Sequence, residues 1–89
     1  MPTRTGKRWV TVERVQTGVR LEKRLVKVLK ALAEYKDMSL GELIEGITLH
    51  AFEGKQAFTA KTLAHIGDLK RVYGLDLDAG ASHRMKDRQ

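Results

Sequence analysis

The chain contains no cysteine. Disulfides, thiolate metal sites and cysteine nucleophiles are therefore excluded together, and a reducing compartment is the natural expectation. Nor does any apolar run approach the roughly 20 residues that a membrane helix needs. The opening residues Met1 to Val10 are basic, but no signal-peptide hydrophobic stretch follows them, so a cytoplasmic location without membrane association is expected. Catalytic signatures are missing as well. Ser39 and Ser82 sit in no nucleophile motif, and there is no phosphate-binding glycine loop. His50 and His65 fall on different predicted helices and His83 lies near the C-terminal end. No two histidines have the i, i+4 spacing that sets a pair of imidazoles on one helical face. His65 and Asp68 are three apart, which suits a surface hydrogen bond. These absences lead us to expect no enzyme, no metal and no cofactor.

What remains is a short chain with very uneven charge. Its 89 residues make one domain at most. A chain of this size buries a modest fraction of its surface alone, so a partner subunit is expected. The net charge is +6, yet residues 1–30 hold nine basic and two acidic side chains, a net of +7. The remainder holds eight basic and nine acidic side chains, a net of −1. Charge concentrated in one segment suits a polyanionic partner, nucleic acid ahead of an anionic membrane surface. The plainer alternative is a solvated basic arm that serves solubility.

The pattern along the chain changes period once. Val15, Thr17, Val19 and Leu21 alternate with Arg14, Gln16, Gly18 and Arg20, which predicts a half-buried strand over 15–21. Val10 and Val12 alternate in the opposite phase, so a bulge, bend or break near Glu13–Arg14 is required. From Glu22 onward, Leu21, Leu25, Val28, Leu29, Leu32 and Tyr35 recur at threes and fours, predicting a helix that ends near Lys36–Asp37. Ser39-Leu40-Gly41-Glu42 reads as a capping box, in which the serine side chain and the glutamate satisfy each other's amides. The helix it opens should bury Leu40, Leu43, Ile44, Ile47 and Ala51, with Gly46 marking a close helix crossing and Gly54 the stop. A third helix is predicted over 58–73, capped by Thr59, lined by Leu63, Ile66, Leu69 and Val72, and ended by Gly74. Periodicity is lost over 75–80, and residues 81–89 read as a polar, mobile tail.

A basic strand, a helix, a capped turn and a second helix in this order resemble the ribbon-helix-helix family of DNA-binding proteins. The resemblance covers 15–54 and is carried by Val19-Arg20-Leu21 running into an amphipathic helix, then by Met38-Ser39-Leu40-Gly41-Glu42-Leu43-Ile44 opening the second. It implies a mainly α fold in which one N-terminal strand pairs across a homodimer, with two core helices and here a third, C-terminal one. It also implies that the paired strands enter the major groove of double-stranded DNA, where base edges are distinguishable. The outward residues Gln16, Gly18 and Arg20 would then contact bases. Arginine suits guanine and glutamine suits adenine. Gly18 departs from the usual polar residue there, either permitting close backbone approach or marking a register shifted to Thr17. The start of the second helix, at Ser39, Leu40, Gly41 and the Glu42 amide, would hold a phosphate, unless it is an ordinary cap. Arg14, Lys7 and Arg8 would follow the backbone, the latter two as a flexible arm or as a merely solvated terminus. Trp9 is expected against the dimer surface.

The expected organisation is thus a basic arm over 1–14, the ribbon-helix-helix domain over 15–54, a helical extension over 55–80 and the tail over 81–89. Three functions remain open at this point. One is a sequence-specific transcriptional regulator. Another is an antitoxin, with a protein partner bound through 57–80. The third is a dimeric module whose basic strand meets a protein, an RNA or a membrane surface. The amphipathic, capped third helix favours packing on the core or extending the dimer interface over an unstructured toxin-binding tail.

Overall fold

The computed structural model describes residues 9–88. Three helices organise them: α1 (Lys23–Tyr35), α2 (Leu40–Phe52) and α3 (Ala60–Tyr73), followed by a short 3-10 turn at Ala79–Ala81. Each start has a side-chain cap. Glu22 accepts a hydrogen bond from the Leu25 amide, Ser39 from the Glu42 amide and Thr59 from the Thr62 amide. Each end closes through a left-handed residue, Asp37 (φ 56°), Gly54 (φ 68°) and Gly74 (φ 66°). Just beyond these, the Met38, Lys55 and Leu75 amides donate back to the carbonyls of Ala33, His50 and Lys70 at 3.0, 2.9 and 2.8 Å. This geometry returns the chain sharply and satisfies carbonyls that the helix leaves open.

α1 is the centre of the packing, with α2 and α3 against it. Leu32, Ala33 and Leu43 form the buried core, and Leu29, Met38, Ile47, Phe58, Ile66 and Leu69 pack around it. Val28 and Leu75 are buried as well. Leu75 lies where the sequence loses its helical period. The left-handed turn at Gly74 ends α3, and the next side chain is buried beside α1 together with Leu25, Val28 and Leu77.

Several faces differ from the sequence expectation. On α2, Leu43 is buried and Leu40 and Ile47 are half-buried, but Ile44 and Ala51 are exposed. On α3, the inward line is Thr62, Ile66 and Leu69, whereas Leu63 and Val72 face outward. Three side chains spaced at four and three residues already fill the contact with α1, so the flanking apolar residues have nothing to cover them. Tyr35 and Leu21 are also exposed, although the Tyr35 ring stacks on His65 at 3.8 Å between centroids. That stacking occupies His65, and Asp68 pairs with Arg71 instead. Nothing lies within 4 Å of a Cβ built at Gly46, so no close crossing among the described residues accounts for that glycine.

The expected strand over 15–21 is not formed within the described residues, which contain no strand at all. Residues 9–21 run as non-helical chain and make no backbone hydrogen bond to another described segment. A strand exists through its ladder, and a ribbon shared between two chains has its ladder in the second copy.

Candidate nucleic-acid interface

The segment entering α1 is exposed at every position from Trp9 to Leu21. Its apolar side is as open as its polar side: Val15 is 81% and Val19 73% exposed. Trp9 is likewise open, with no surface among the described residues to rest on.

An ion pair anchors the segment near its start. The Arg14 guanidinium donates from Nε and Nη2 to the two carboxylate oxygens of Glu45 at 2.8 and 2.9 Å. This fork-to-fork contact sets the start of the segment against α2. It holds the Arg14 guanidinium above its ordinary pKa and the Glu45 carboxyl below the usual carboxylate range, chiefly through the shared hydrogen bonds. Arg14, expected at a phosphate, is thus engaged by Glu45 in the single chain. A second anchor lies at the other end. Arg24 donates to Glu22 at 2.9 Å, to the Gly74 carbonyl at 3.0 Å and to Asp76 at 3.0 Å. Glu22 in turn caps α1, and the Leu25 amide is the main reason its carboxyl is held below the usual range. One arginine therefore ties the start of α1 to the exit of α3.

Between these anchors stand the residues expected to read bases. Gln16 and Gly18 are exposed, and a Cβ built at Gly18 meets nothing within 4 Å. Arg20 is exposed too, and its guanidinium donates to the carboxylate of Asp87 near the C-terminal end. The first turn of α2 forms the expected capping box: the Glu42 amide donates to Ser39 Oγ at 3.1 Å, and the Ser39 amide to the Glu42 carboxylate at 2.9 Å. Glu42 is therefore turned back onto the cap, and its amide is satisfied there. The Leu40 and Gly41 amides carry the remaining first-turn donor capacity, where the helix dipole favours an anion. The Arg14–Glu45 contact sets residue 14 beside the N-terminal half of α2, where the Glu42 carboxylate also helps to hold the Arg14 guanidinium above its ordinary pKa. Lys7 and Arg8, expected to follow the phosphate backbone, lie outside the described residues.

Sequence reasoning missed Glu45, the Glu22–Arg24–Asp76 cluster and Asp87. Their partners lie 31, 52 and 67 residues apart along the chain for Arg14–Glu45, Arg24–Asp76 and Arg20–Asp87, so no local spacing signals them. Among the described residues, no three potential metal ligands come together and no helix is long and apolar enough to cross a membrane.

A family model described as a ribbon-helix-helix domain matches residues 5–62. No curated protein and no solved structure matches the chain.

Proposed function

Because the chain belongs to the ribbon-helix-helix family, we propose that it is a sequence-specific DNA-binding regulator of transcription acting as a homodimer. Two copies of residues 15–21 pair into an antiparallel ribbon, which enters the major groove with Gln16, Gly18 and Arg20 outward. The Leu40 and Gly41 amides then hold a phosphate at the start of α2. The observation that carries this reading is the double exposure of the segment. Val15 and Val19 are open on one side while Gln16, Gly18 and Arg20 are open on the other, with both ends tethered by ion pairs. Burying the apolar side against a second copy satisfies the unpaired backbone and leaves the polar side for the DNA.

The regulator is better supported than the antitoxin. α3 is a folded, capped helix with Ile66 and Leu69 engaged with the chain's own core, rather than an unstructured toxin-binding tail, although its outward residues Leu63 and Val72 remain open to a second protein. Selection of bound sequences from a random DNA pool tests the proposal. The expected product is a short inverted repeat, since a two-fold dimer reads two half-sites. Replacing Arg20 with alanine removes one bidentate bond to a base in each half-site. Each should cost about 1–3 kcal/mol, and the preference at that position should relax. An Arg20→Ala protein with the parent's affinity and preference refutes the assigned register. A parent without sequence preference at physiological salt refutes the regulator.

A further inference from the structure

The C-terminal segment folds back toward the start of α1 and encloses, with it, an open groove of about 1670 Å³. Arg20, the last outward residue of the ribbon segment, stands at this groove. From α1 it receives Lys23 and Lys27, and from the C-terminal segment Arg84, Lys86 and Arg88. We propose that this groove grips the DNA phosphate backbone beside the ribbon, so that residues 84–88 form a second, sequence-independent contact. This rests on the DNA-binding reading above and adds to it a surface outside the ribbon and the start of α2.

Three observations point to a polyanion. The acidic side chains lining the groove each have an internal task. Glu22 caps α1 and pairs with Arg24, Asp78 accepts from the Gly80 amide, and Asp87 pairs with Arg20. By contrast, Lys23, Lys27, Lys86 and Arg88 meet no carboxylate among the described residues, and Arg84 donates only to the Gly80 carbonyl. The lining thus carries seven cations against three carboxylates, so the groove stays positive even when Arg20 leaves Asp87 for a base. Second, the two basic rows come from segments far apart in sequence and are brought together by the turn at Gly74, the Arg24 tether and the Arg20–Asp87 pair. Third, the groove is continuous with the reading face through Arg20, where a duplex seated on the ribbon continues past the half-site. Lysine and arginine side chains along such a path neutralise phosphates and release counterions, which adds affinity for every sequence alike.

The test uses the full chain with Arg84→Gln, Lys86→Gln and Arg88→Gln together, measured against the parent on the selected operator over a salt series. Each phosphate contact contributes about 0.9 to the slope of log affinity against log salt, so six contacts in a dimer should flatten it by up to about 5. The base preference should stay that of the parent, and ethylation interference should disappear only at phosphates outside the half-sites. A second protein carrying only Lys86→Gln and Arg88→Gln touches no internal hydrogen bond among the described residues, and should flatten the slope by about two-thirds as much. If the parent binds its operator and both variants keep its slope and its outer phosphate contacts, the groove proposal is overturned while the ribbon reading stands. If the parent binds no DNA, both fall. A parent whose tail-dependent binding is to duplex RNA or to anionic vesicles, and not to DNA, also overturns the proposal.

Discussion

Replacing Val19 with alanine separates a ribbon shared between chains from a segment that merely lies on the surface. In the single chain Val19 is 73% exposed, so its two distal methyl groups contribute little to the internal fold. If the segment pairs across a dimer, those methyl groups leave water on association. At about 0.8 kcal/mol for each buried carbon, the loss is ~1.6 kcal/mol per chain. Both chains carry the change, giving ~3 kcal/mol per dimer and a dissociation constant about 200-fold higher. Sedimentation velocity over a concentration series measures that constant directly. The melting temperature should also rise with protein concentration in the parent, and at any one concentration be lower in the variant. Helical circular dichroism at high concentration should be unchanged, because α1 to α3 do not depend on this side chain. A dissociation constant within about threefold of the parent's would refute the pairing of residues 15–21 across two copies.

Other substitutions test the scaffold and the latch on Arg20. Leu32 is 2% exposed at the centre of the packing, so Leu32→Ala should cost about 3–5 kcal/mol in urea unfolding. Asp37 holds φ 56° at the end of α1, and Asp37→Gly should stabilise the protein by about 0.5–1 kcal/mol in the same assay. The carboxyls of Glu22 and Glu45 are held below their ordinary range, so their stabilisation is complete above that range and is lost as pH falls through the lowered values. A Glu45→Gln protein should therefore show less loss of melting temperature on acidification than the parent. Asp87→Asn frees Arg20 from an exposed ion pair of at most about 1 kcal/mol in each chain, so for a dimer it should raise operator affinity by no more than about 30-fold. A weakened operator complex would show that Asp87 helps, not competes.

The helices were legible because their signals are local. The Ser39–Glu42 box, the Thr59 cap, Gly54 and Gly74 act within three or four residues, and each stands where the sequence indicates. The start of α1 was less marked because its cap is a glutamate, a residue uncommon at that position. Face assignment fared differently. Ile44, Leu63 and Val72 fit a helical period, but period alone does not say how wide the covered stripe is, and the neighbouring helices are too narrow to cover them. Leu75 reversed that error: it has no periodic company and is buried by a turn. The tethers at Arg14, Arg20 and Arg24 were illegible because each joins residues that meet only in the folded chain.

Those tethers bear on how the reading face can vary. Arg14 holds the segment to α2 through Glu45, and Arg24 holds the start of α1 through Glu22, Gly74 and Asp76. Gln16 and Gly18 lie between them and support none of the internal packing, and Arg20 makes only the exposed pair with Asp87 among the described residues. Their identity is therefore uncoupled from the fold, as specificity requires if it is to change without loss of stability. Gly18 makes the argument testable. A Cβ there meets nothing within 4 Å, and its φ is not in the left-handed region, so Gly18→Ser should melt within about 0.5 kcal/mol of the parent. If the ribbon enters the groove in the proposed register, the same hydroxyl stands among the base edges, and selection from a random pool should return an operator altered at the central positions. An altered operator with unchanged stability supports the register of Gln16, Gly18 and Arg20. An unaltered operator would move the reading face to the opposite side of the ribbon, where Thr17 stands.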